Sequence, residues 1–298
     1  MGMKIVVTGA TGFVGSAVCS YLRSLNHTIV GIGRRNVHPL QGSSGFQYIH
    51  ADTSMAGGWQ NQISNADAVV NLAGESILRR WSGDARTRIW DSRVKTTKNV
   101  TNAMGRTQTL LSFSATGYFG DRGPEELTEE SARGTGFLSD LCAAWEDAAT
   151  HAPGDSRIVI CRLGVVLGNG GALEKMLPVF KLGMGGRLGS GRQWFPWIHL
   201  EDVLGGIHFL LRTPAVTGPV HLVSPNPLIN RAFTETLGNE LGVPTVAVVP
   251  KMVLSMLFGE ASCVLLDSQR VIPQKLTASG FNFRYPAIQA ALHQIVAE

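Results

Sequence analysis

The stretch that decides the fold is KIVVTGATGFVG, residues 4–15. An apolar, β-branched run leads directly into a loop with a glycine at every third position, and a helical pattern follows. In such a unit the first glycine permits a tight turn, the second lets backbone amides approach a pyrophosphate, and the third lets helix and strand pack closely. Because the glycines stand in this strand–loop–helix context, they predict a dinucleotide-binding loop. Its predicted contact residues are Gly9, Thr11, Gly12, Phe13, Val14 and Gly15.

Similar apolar runs alternate with helical patterns over the first half of the chain. Runs without polar alternation are typical of strands buried on both faces, and hence of a parallel sheet covered by helices. The sequence therefore predicts a doubly wound α/β fold of the Rossmann type. The predicted strands are residues 4–9, 28–33, 46–52, 67–74, 109–117 and 157–168.

After residue 168 the alternation of apolar runs and helical patterns ends, and a glycine-rich segment follows. We predict a dinucleotide-binding domain over 1–168, to which 199–225 returns, and a smaller C-terminal α+β substrate lobe from 169–198 and 226–298. The predicted later elements are helices over 201–212, 231–241, 251–266 and after Pro286, and strands over 219–224 and 245–249.

Composition narrows the class of ligand. The chain has 298 residues, of which 44% are hydrophobic and 16% charged, with a net charge of +4. The positive balance favours anionic ligands, but dense basic tails and aromatic-basic modules are missing from the sequence. We expect a phosphate-bearing small molecule as the ligand and no nucleic acid.

The cysteine pattern and the apolar segments bear on location. The four cysteines show no metal-ligand spacing, so no metal site is predicted, and three lie in apolar runs that suit reduced, buried thiols. The start of the chain lacks the pattern of a signal peptide, and the apolar stretch 245–259 is broken by Pro250 and Lys251. We expect a cytoplasmic monomer or homodimer without a membrane segment.

The ends of three strands give further cofactor contacts. Arg34 and Arg35 follow the second strand, where an acid would otherwise bind the adenosine ribose, and guanidinium groups there can grip a 2′-phosphate. This favours NADP over NAD, although two solvated loop arginines would give the same pattern. Asp52 is placed to bind the adenine amino group. The small residues that end the fourth strand let the backbone pass under the nicotinamide ribose. The predicted contacts there are Leu72, Ala73 and Gly74.

Five motifs together resemble a known superfamily. VTGATGFVGSAV, NLAGESI, FSATGYFG, CRLGVVLG and WIHLEDV are similar to successive motifs of the extended and atypical short-chain dehydrogenases/reductases, the relatives of nucleoside-diphosphate-sugar epimerases. The segments around them, including LLDSQRVIPQKLTASGFNFRYP, resemble an epimerase-like subgroup with members labelled cell-division-inhibitor-like. Arg162, in the fourth motif, joins the predicted cofactor-binding residues.

The resemblance also implies an acid/base relay of Ser or Thr, Tyr, and Lys four residues after the Tyr. Ser114 matches the first position, but Leu138 and Cys142 stand at the Tyr and Lys positions of the helix GTGFLSDLCAAWE. Tyr118 is the nearest alternative proton donor, although a structural role is usual for it. Loss of positioned acid/base groups costs ~10²–10⁴ in rate. Two hypotheses follow: an NADP-dependent, epimerase-like oxidoreductase with a rearranged relay, and a non-catalytic NADP(H)-sensing regulatory protein.

Candidate substrate contacts lie in two segments. Glu75 and Arg79 follow the fourth strand, beyond which sheet ligands bind, and a basic stretch continues to Lys98. An anionic-substrate patch and a solvated basic helix explain that stretch equally. Trp194 and Trp197 suit stacking on a substrate or packing at the lobe interface.

Overall fold

The computed structural model describes residues 2–297. Within that range the strands are short and numerous. In chain order they are β1 Lys4–Thr8, β2 Thr28–Gly33, β3 Phe46–His50, β4 Ala68–Asn71, β5 Thr109–Ala115, β6 Glu126–Leu127, β7 Arg157–Leu163, β8 Val165–Leu167, β9 Gly186–Leu188, β10 Trp194–Phe195, β11 Trp197–His199, β12 Gly218–Leu222, β13 Leu228–Ile229, β14 Ala247–Val249 and β15 Arg270–Val271.

The α-helices lie between these strands. They are α1 Phe13–Ser24, α2 Asn61–Ser64, α3 Gly83–Ala103, α4 Phe137–Thr150, α5 Gly171–Lys181, α6 Leu200–Arg212, α7 Asn230–Leu241, α8 Lys251–Phe258, α9 Cys263–Leu266, α10 Gln274–Ala278 and α11 Ile288–Ala297. Short 3-10 helices cover Gly58–Gln60, Thr116–Phe119 and Gly259–Ser262. Within residues 2–297, no helix is at once long enough and apolar enough to cross a bilayer.

Seven strands form the central sheet, in the order β12-β7-β5-β4-β1-β2-β3, and every neighbouring pair is parallel. The order reverses direction at β1, so the chain winds outward on both sides, as in Rossmann folds. This confirms the predicted doubly wound α/β fold. Because all carboxyl ends share one edge, the loops after β1, β2, β3 and β4 meet there.

The sheet is covered on both faces, which explains its apolar strands. One core cluster packs α1, α4 and α6 against the sheet, with Val7, Val70 and Leu111 fully buried. A second cluster on the other side buries Val6, Val69 and residues of α3. Adjacent positions of one strand therefore point into different cores, so a polar alternation would have buried unpaired side chains.

A smaller C-terminal α+β lobe adds a core of its own. Leu173, Phe180, Trp197, Phe233 and Leu292 are buried together in it. Two of its strand pairs are internal, β10 with β13 and β9 with β14, while β15 pairs with β6 of the amino-terminal part. The lobe is thus joined to the amino-terminal part of the chain by backbone hydrogen bonds as well as by side chains.

Two predicted elements differ from the structure for conformational reasons. The apolar run 157–168 is divided at Gly164, after which β8 leaves the central sheet and pairs with β11; a Cβ at Gly164 would lie 2.8 Å from the Pro196 carbonyl oxygen. The predicted helix 251–266 is interrupted at Gly259, whose φ of +61° ends α8. The division of the chain into domains at residue 168 stays a prediction.

Candidate cofactor cavity and the buried network beside it

The glycine loop after β1 is built so tightly that side chains are excluded from it. Gly9 has a φ of +68°, and a Cβ there would lie 2.8 Å from the Leu72 backbone. A Cβ on Gly15 would lie 2.2 Å from the Gly9 carbonyl oxygen. Helix α1 then begins at Phe13 without a side-chain cap or an acidic residue in its first turn. Its N-terminal amides therefore remain available to an anion.

A cavity of about 450 Å³ opens beside this loop at the carboxyl edge of the sheet. Its walls come from the ends of β1, β2, β3 and β4 and from α3. The lining residues are Gly9, Thr11, Gly12, Gly33, Arg34, Arg35, Ala51, Asp52, Thr53, Ser54, Leu72, Ala73, Gly74, Glu75, Arg88, Asp91, Ser92 and Thr96. The size is typical of small-ligand sites. Ten of the predicted cofactor and substrate residues meet here.

Arg34 and Arg35 reach this cavity because β3 holds their backbone. The Tyr48 hydroxyl donates to the Arg35 carbonyl oxygen at 2.6 Å, and the His50 Nε2 lies 3.1 Å from the Arg34 carbonyl oxygen. With their carbonyl oxygens bound by these two side chains, both arginines line the cavity. The guanidinium groups are therefore held by the fold at the end of β2.

Glu75 is the centre of an arginine cluster at the cavity wall. Its carboxylate pairs with Arg79 in a very short contact, with Arg88 at 3.4 Å and with Arg34 at 4.0 Å. The Glu75 side chain is 15% exposed, whereas those of the three arginines are 40–59% exposed. Glu75, predicted as a substrate contact, therefore lies beside Arg34, and Arg79 lies outside the cavity lining.

Helix α3 supplies a wall of the cavity that was not predicted, because the predicted contacts lie at the ends of strands. Arg88, Ser92 and Thr96 are spaced four residues apart and line the cavity together. The Ser92 hydroxyl accepts from the Glu75 amide at 3.0 Å, and the Thr96 and Thr53 hydroxyls are 3.1 Å apart. The i, i+4 spacing of small polar and basic residues in the basic stretch was the signal available in the sequence.

A buried polar network lies beyond the cavity, behind β5. The Ser114 hydroxyl donates to Glu146 Oε1 at 2.8 Å, and Arg162 donates to both oxygens of the same carboxylate at 2.9 Å. Arg162 is 3% exposed and lies next to Ser114 across the β5–β7 pair. Arg162, predicted as a cofactor contact, is thus bound inside the protein in this conformation. Glu146 was missed because its partners lie 16 and 32 residues away.

Tyr118 joins this network through its ring. The Arg162 guanidinium carbon lies 3.6 Å from the centre of the Tyr118 ring, a cation–π contact. Tyr118 belongs to the 3-10 helix that follows β5, and its carbonyl oxygen accepts from Ser139 at 2.8 Å. The structure therefore links the two predicted catalytic residues, Ser114 and Tyr118, through Arg162 and Glu146.

Leu138 and Cys142 occupy one face of α4, toward Gly117. A Cβ on Gly117 would lie 3.4 Å from Leu138 Cβ and 3.9 Å from Cys142 Sγ. Burial raises the pKa of the Cys142 thiol to about 11, and the Glu146 carboxylate also raises it, while Ser114 and Arg93 oppose the shift. The thiol is therefore neutral at physiological pH and supplies no cation.

The remaining predicted residues lie apart from the cavity. Trp197 is 1% exposed in the core of the C-terminal lobe, and its indole N–H donates to the Asn226 carbonyl at 3.3 Å. It presents no surface to a ligand in this conformation. Trp194 is half-buried, with the Arg270 guanidinium 5.0 Å from its ring. Phe13, Val14 and Gly15 lie at the start of α1 outside the lining, and Phe13 packs against Gly170.

Comparison with known proteins gives consistent matches over the whole chain. Residues 5–223 match the NAD dependent epimerase/dehydratase family, and residues 249–295 match a domain of unknown function, DUF1731. The chloroplastic epimerase family protein SDR39U1 homolog of Arabidopsis thaliana is 36% identical over 306 residues, which cover 99% of this chain and 87% of that protein.

Two solved structures are similar in sequence and fold. The human epimerase family protein SDR39U1 (isoform2), crystallised with NADPH, gives a TM-score of 0.87 at 32% identity, covering 99% of this chain and 100% of that one. The nucleoside-diphosphate sugar epimerase of Corynebacterium glutamicum gives a TM-score of 0.79 at 30% identity, covering 99% of this chain and 58% of that one.

Proposed function

The chain belongs to the NAD dependent epimerase/dehydratase family, and on that premise we propose that it binds NADP(H) and acts as an epimerase-like oxidoreductase on a small, anionic substrate. The cavity carries this proposal: a glycine loop at a helix N-terminus and the guanidinium groups of Arg34 and Arg35 face one space. The NADPH in the human relative's crystal structure supports the choice of cofactor.

In this proposal, different lining residues bind different parts of the dinucleotide. The amides at the start of α1 bind the pyrophosphate, and Arg34 and Arg35 bind the 2′-phosphate by charge-assisted hydrogen bonds. Asp52 accepts from the adenine amino group. Ala73 and Gly74 leave room for the second ribose. Arg88 adds a third guanidinium to this lining, and the three cations together favour the more highly phosphorylated dinucleotide.

In this proposal, Ser114 orients the substrate and Tyr118 transfers the proton, while bound NADP(H) would supply or accept hydride. Ser114 donates its only proton to Glu146, so its oxygen acts as an acceptor and orients a substrate hydroxyl. Tyr118 exchanges a proton between its phenol oxygen and the substrate oxygen. Arg162 and Glu146 position both groups, because each is in contact with one of them and the two form a bidentate ion pair.

We further propose that the substrate lies between the cavity and the C-terminal lobe of 169–198 and 226–298. Arg79, whose side chain is 40% exposed, offers a cation for an anionic group, and the half-buried Trp194 offers a ring on which a substrate can stack. Glu75 orients Arg79 through their ion pair. Trp197 acts in this proposal by supporting the neighbouring segment from the core.

A second candidate function is an NADP(H)-sensing regulatory protein without turnover. The observation that favours it is the neutral, buried Cys142 and the apolar Leu138 at the positions where the superfamily resemblance implies an acid/base pair. Such a protein would keep the cavity and lose the proton relay.

The first experiment is a titration of the purified protein with NADPH, followed by nicotinamide fluorescence. We expect saturable binding, with R34A and R35A each weakening NADPH about tenfold and changing NADH affinity much less, because only NADPH carries the 2′-phosphate. Absence of saturable binding would refute the cofactor proposal. Turnover is then tested by NADPH absorbance across a library of anionic carbonyl compounds and sugar nucleotides. Turnover abolished by Y118F supports the enzyme, whereas binding without any turnover supports the sensor.

A further inference from the structure

Arg93 is a cation that neither the cofactor contacts nor the Ser114 network uses. It projects from α3 toward α4, and its guanidinium carbon lies 5.3 Å from the centre of the Trp145 ring. Trp145 and Cys142 are one turn apart on α4, and the Arg93 charge acts on the Cys142 thiol. The guanidinium therefore lies where α3 and α4 meet beneath the carboxyl edge of the sheet.

The same guanidinium supports the inner wall of the cavity. Its Nη2 donates to the Glu75 carbonyl oxygen at 2.9 Å, and a Cβ on Gly74 would lie 3.0 Å from its Cζ. Its Nη1 donates to the Ile89 carbonyl oxygen at 3.1 Å. Gly74 and Glu75 line the cavity, so Arg93 holds the backbone on which a ligand would rest.

Arg93 forms no ion pair with a carboxylate among residues 2–297. Its hydrogen-bond acceptors are two carbonyl oxygens and the Ser92 hydroxyl. Burial lowers the pKa of Arg93 to about 10, so the group remains charged at neutral pH. Its direct partners are neutral, and the Glu75 charge, which raises its pKa, shows that the guanidinium is close enough to the cavity wall to act on it electrostatically.

Sheet order places Arg93 away from the 2′-phosphate end of the cavity. Arg34 and Arg35 follow β2, whereas Gly74 follows β4, and β1 lies between these strands. Beyond β4 comes β5 with Ser114. Arg93 is thus on the side of the cavity that faces the proposed catalytic residues.

We propose that Arg93 is a positioning residue for the inner half of the cofactor site, which holds the nicotinamide and its ribose. Its charge comes from α3 and takes the place of the lysine that the superfamily resemblance implies at position 142, where this chain has Cys142. Acting through the Gly74–Glu75 backbone, Arg93 fixes the floor of that half of the site, and it provides positive potential at Cys142. This inference rests on the proposed function, because it assumes that the cavity binds NADP(H).

The test compares two ligands and two arginines. NADPH fills both halves of the site, whereas 2′,5′-ADP carries only the adenosine half. R93Q should raise the Kd of NADPH about tenfold or more, and that of 2′,5′-ADP clearly less. R93K should restore most of the NADPH affinity, because it keeps the charge.

Arg157 provides the matched control. It also donates to carbonyl oxygens, those of Leu210, Thr213 and Val216, but it begins β7 and so lies at the opposite edge of the sheet. R157Q should lower thermal stability and leave the ratio of the two dissociation constants unchanged.

The outcomes separate this inference from the proposed function. Equal weakening of both ligands by R93Q, or no weakening of either, overturns the role of Arg93 while the wild-type protein still binds NADPH. Failure of the wild-type protein to bind either ligand overturns the proposed function, and the role of Arg93 with it.

Discussion

At the scale of single residues, the cavity is organised by one carboxylate among several guanidinium groups. Glu75 is the least exposed member of its cluster and contacts Arg34, Arg79 and Arg88. Without it, like charges at the wall would repel one another and turn toward solvent. The carboxylate therefore holds the arginines in place before an anionic ligand arrives, which reduces the entropy that binding must overcome.

A pair of variants tests whether position in the cavity, rather than charge alone, decides ligand binding. Arg88 and Arg79 both pair with Glu75, but only Arg88 lines the cavity. R88A should raise the Kd of NADPH about tenfold, and R79A should change it by less than about twofold. Both values come from the same fluorescence titration. Equal effects would show that net charge, and not a contact of Arg88, governs affinity.

At the scale of secondary-structure elements, one ion pair joins three of them. Glu146 of α4 is bound by Ser114 of β5 and by Arg162 of β7. The side chains of Arg162 and Glu146 are 3% and 9% exposed, so water cannot replace either partner. The two parallel hydrogen bonds between these side chains offset the free-energy cost of desolvating both charges. They also fix the position of α4 relative to the sheet.

Removal of one partner should therefore cost much more than removal of both. R162M leaves the Glu146 carboxylate buried without its cation, and should lower the free energy of unfolding by ~3–5 kcal/mol. The double variant E146M/R162M, with an apolar pair of similar volume, should recover part of that loss. Urea unfolding at pH 7 measures both. A double variant as unstable as the sum of the single variants would contradict the coupling.

At the scale of the whole molecule, the C-terminal lobe is fixed to the sheet domain by polar contacts around Asp121. The Ser268 amide donates to Asp121 Oδ1 at 3.1 Å, and Gln269 donates to the Gly120 carbonyl oxygen at 3.1 Å. Asp267 precedes them in the chain. Its pKa is raised to about 6, mainly by burial and further by the Asp121 carboxylate, with Lys251 opposing the shift.

This raised pKa should make the stability of the molecule depend on pH. Between about pH 4 and 6 the folded protein keeps a proton on Asp267 that the unfolded chain has released, so stability falls as pH rises through that window. D267N removes this contribution. The stability of D267N relative to wild type should therefore rise from pH 4 to 6 and then level off.

Denaturant unfolding at pH 4, 5, 6 and 7 measures that difference, with the exposed Asp155 changed to Asn as the control. A difference between D267N and wild type that stays constant across these pH values would show that Asp267 does not couple the lobe contact to protonation.

Much of the fold could be predicted from residues close together in the chain. The glycine spacing and the apolar runs predicted the strand–loop–helix unit and the parallel sheet, because backbone sterics and two-sided burial act on neighbouring residues. The same reasoning placed Arg34, Arg35 and Asp52 at strand ends, and the structure brings these residues to one cavity. Their roles in binding stay predictions.

Contacts between distant side chains depend on the tertiary packing. Arg88, Arg93 and Glu146 lie on helices, where a sequence pattern gives the face but not the neighbour, and Arg162 was assigned to the cofactor although it is bound to Glu146. The doubly wound sheet and its glycine loop follow from local geometry, so residues close together in the chain are enough to specify them. The arginine cluster and the buried ion pair depend on how helices dock on the sheet, because charge interactions act between groups that only packing brings within reach.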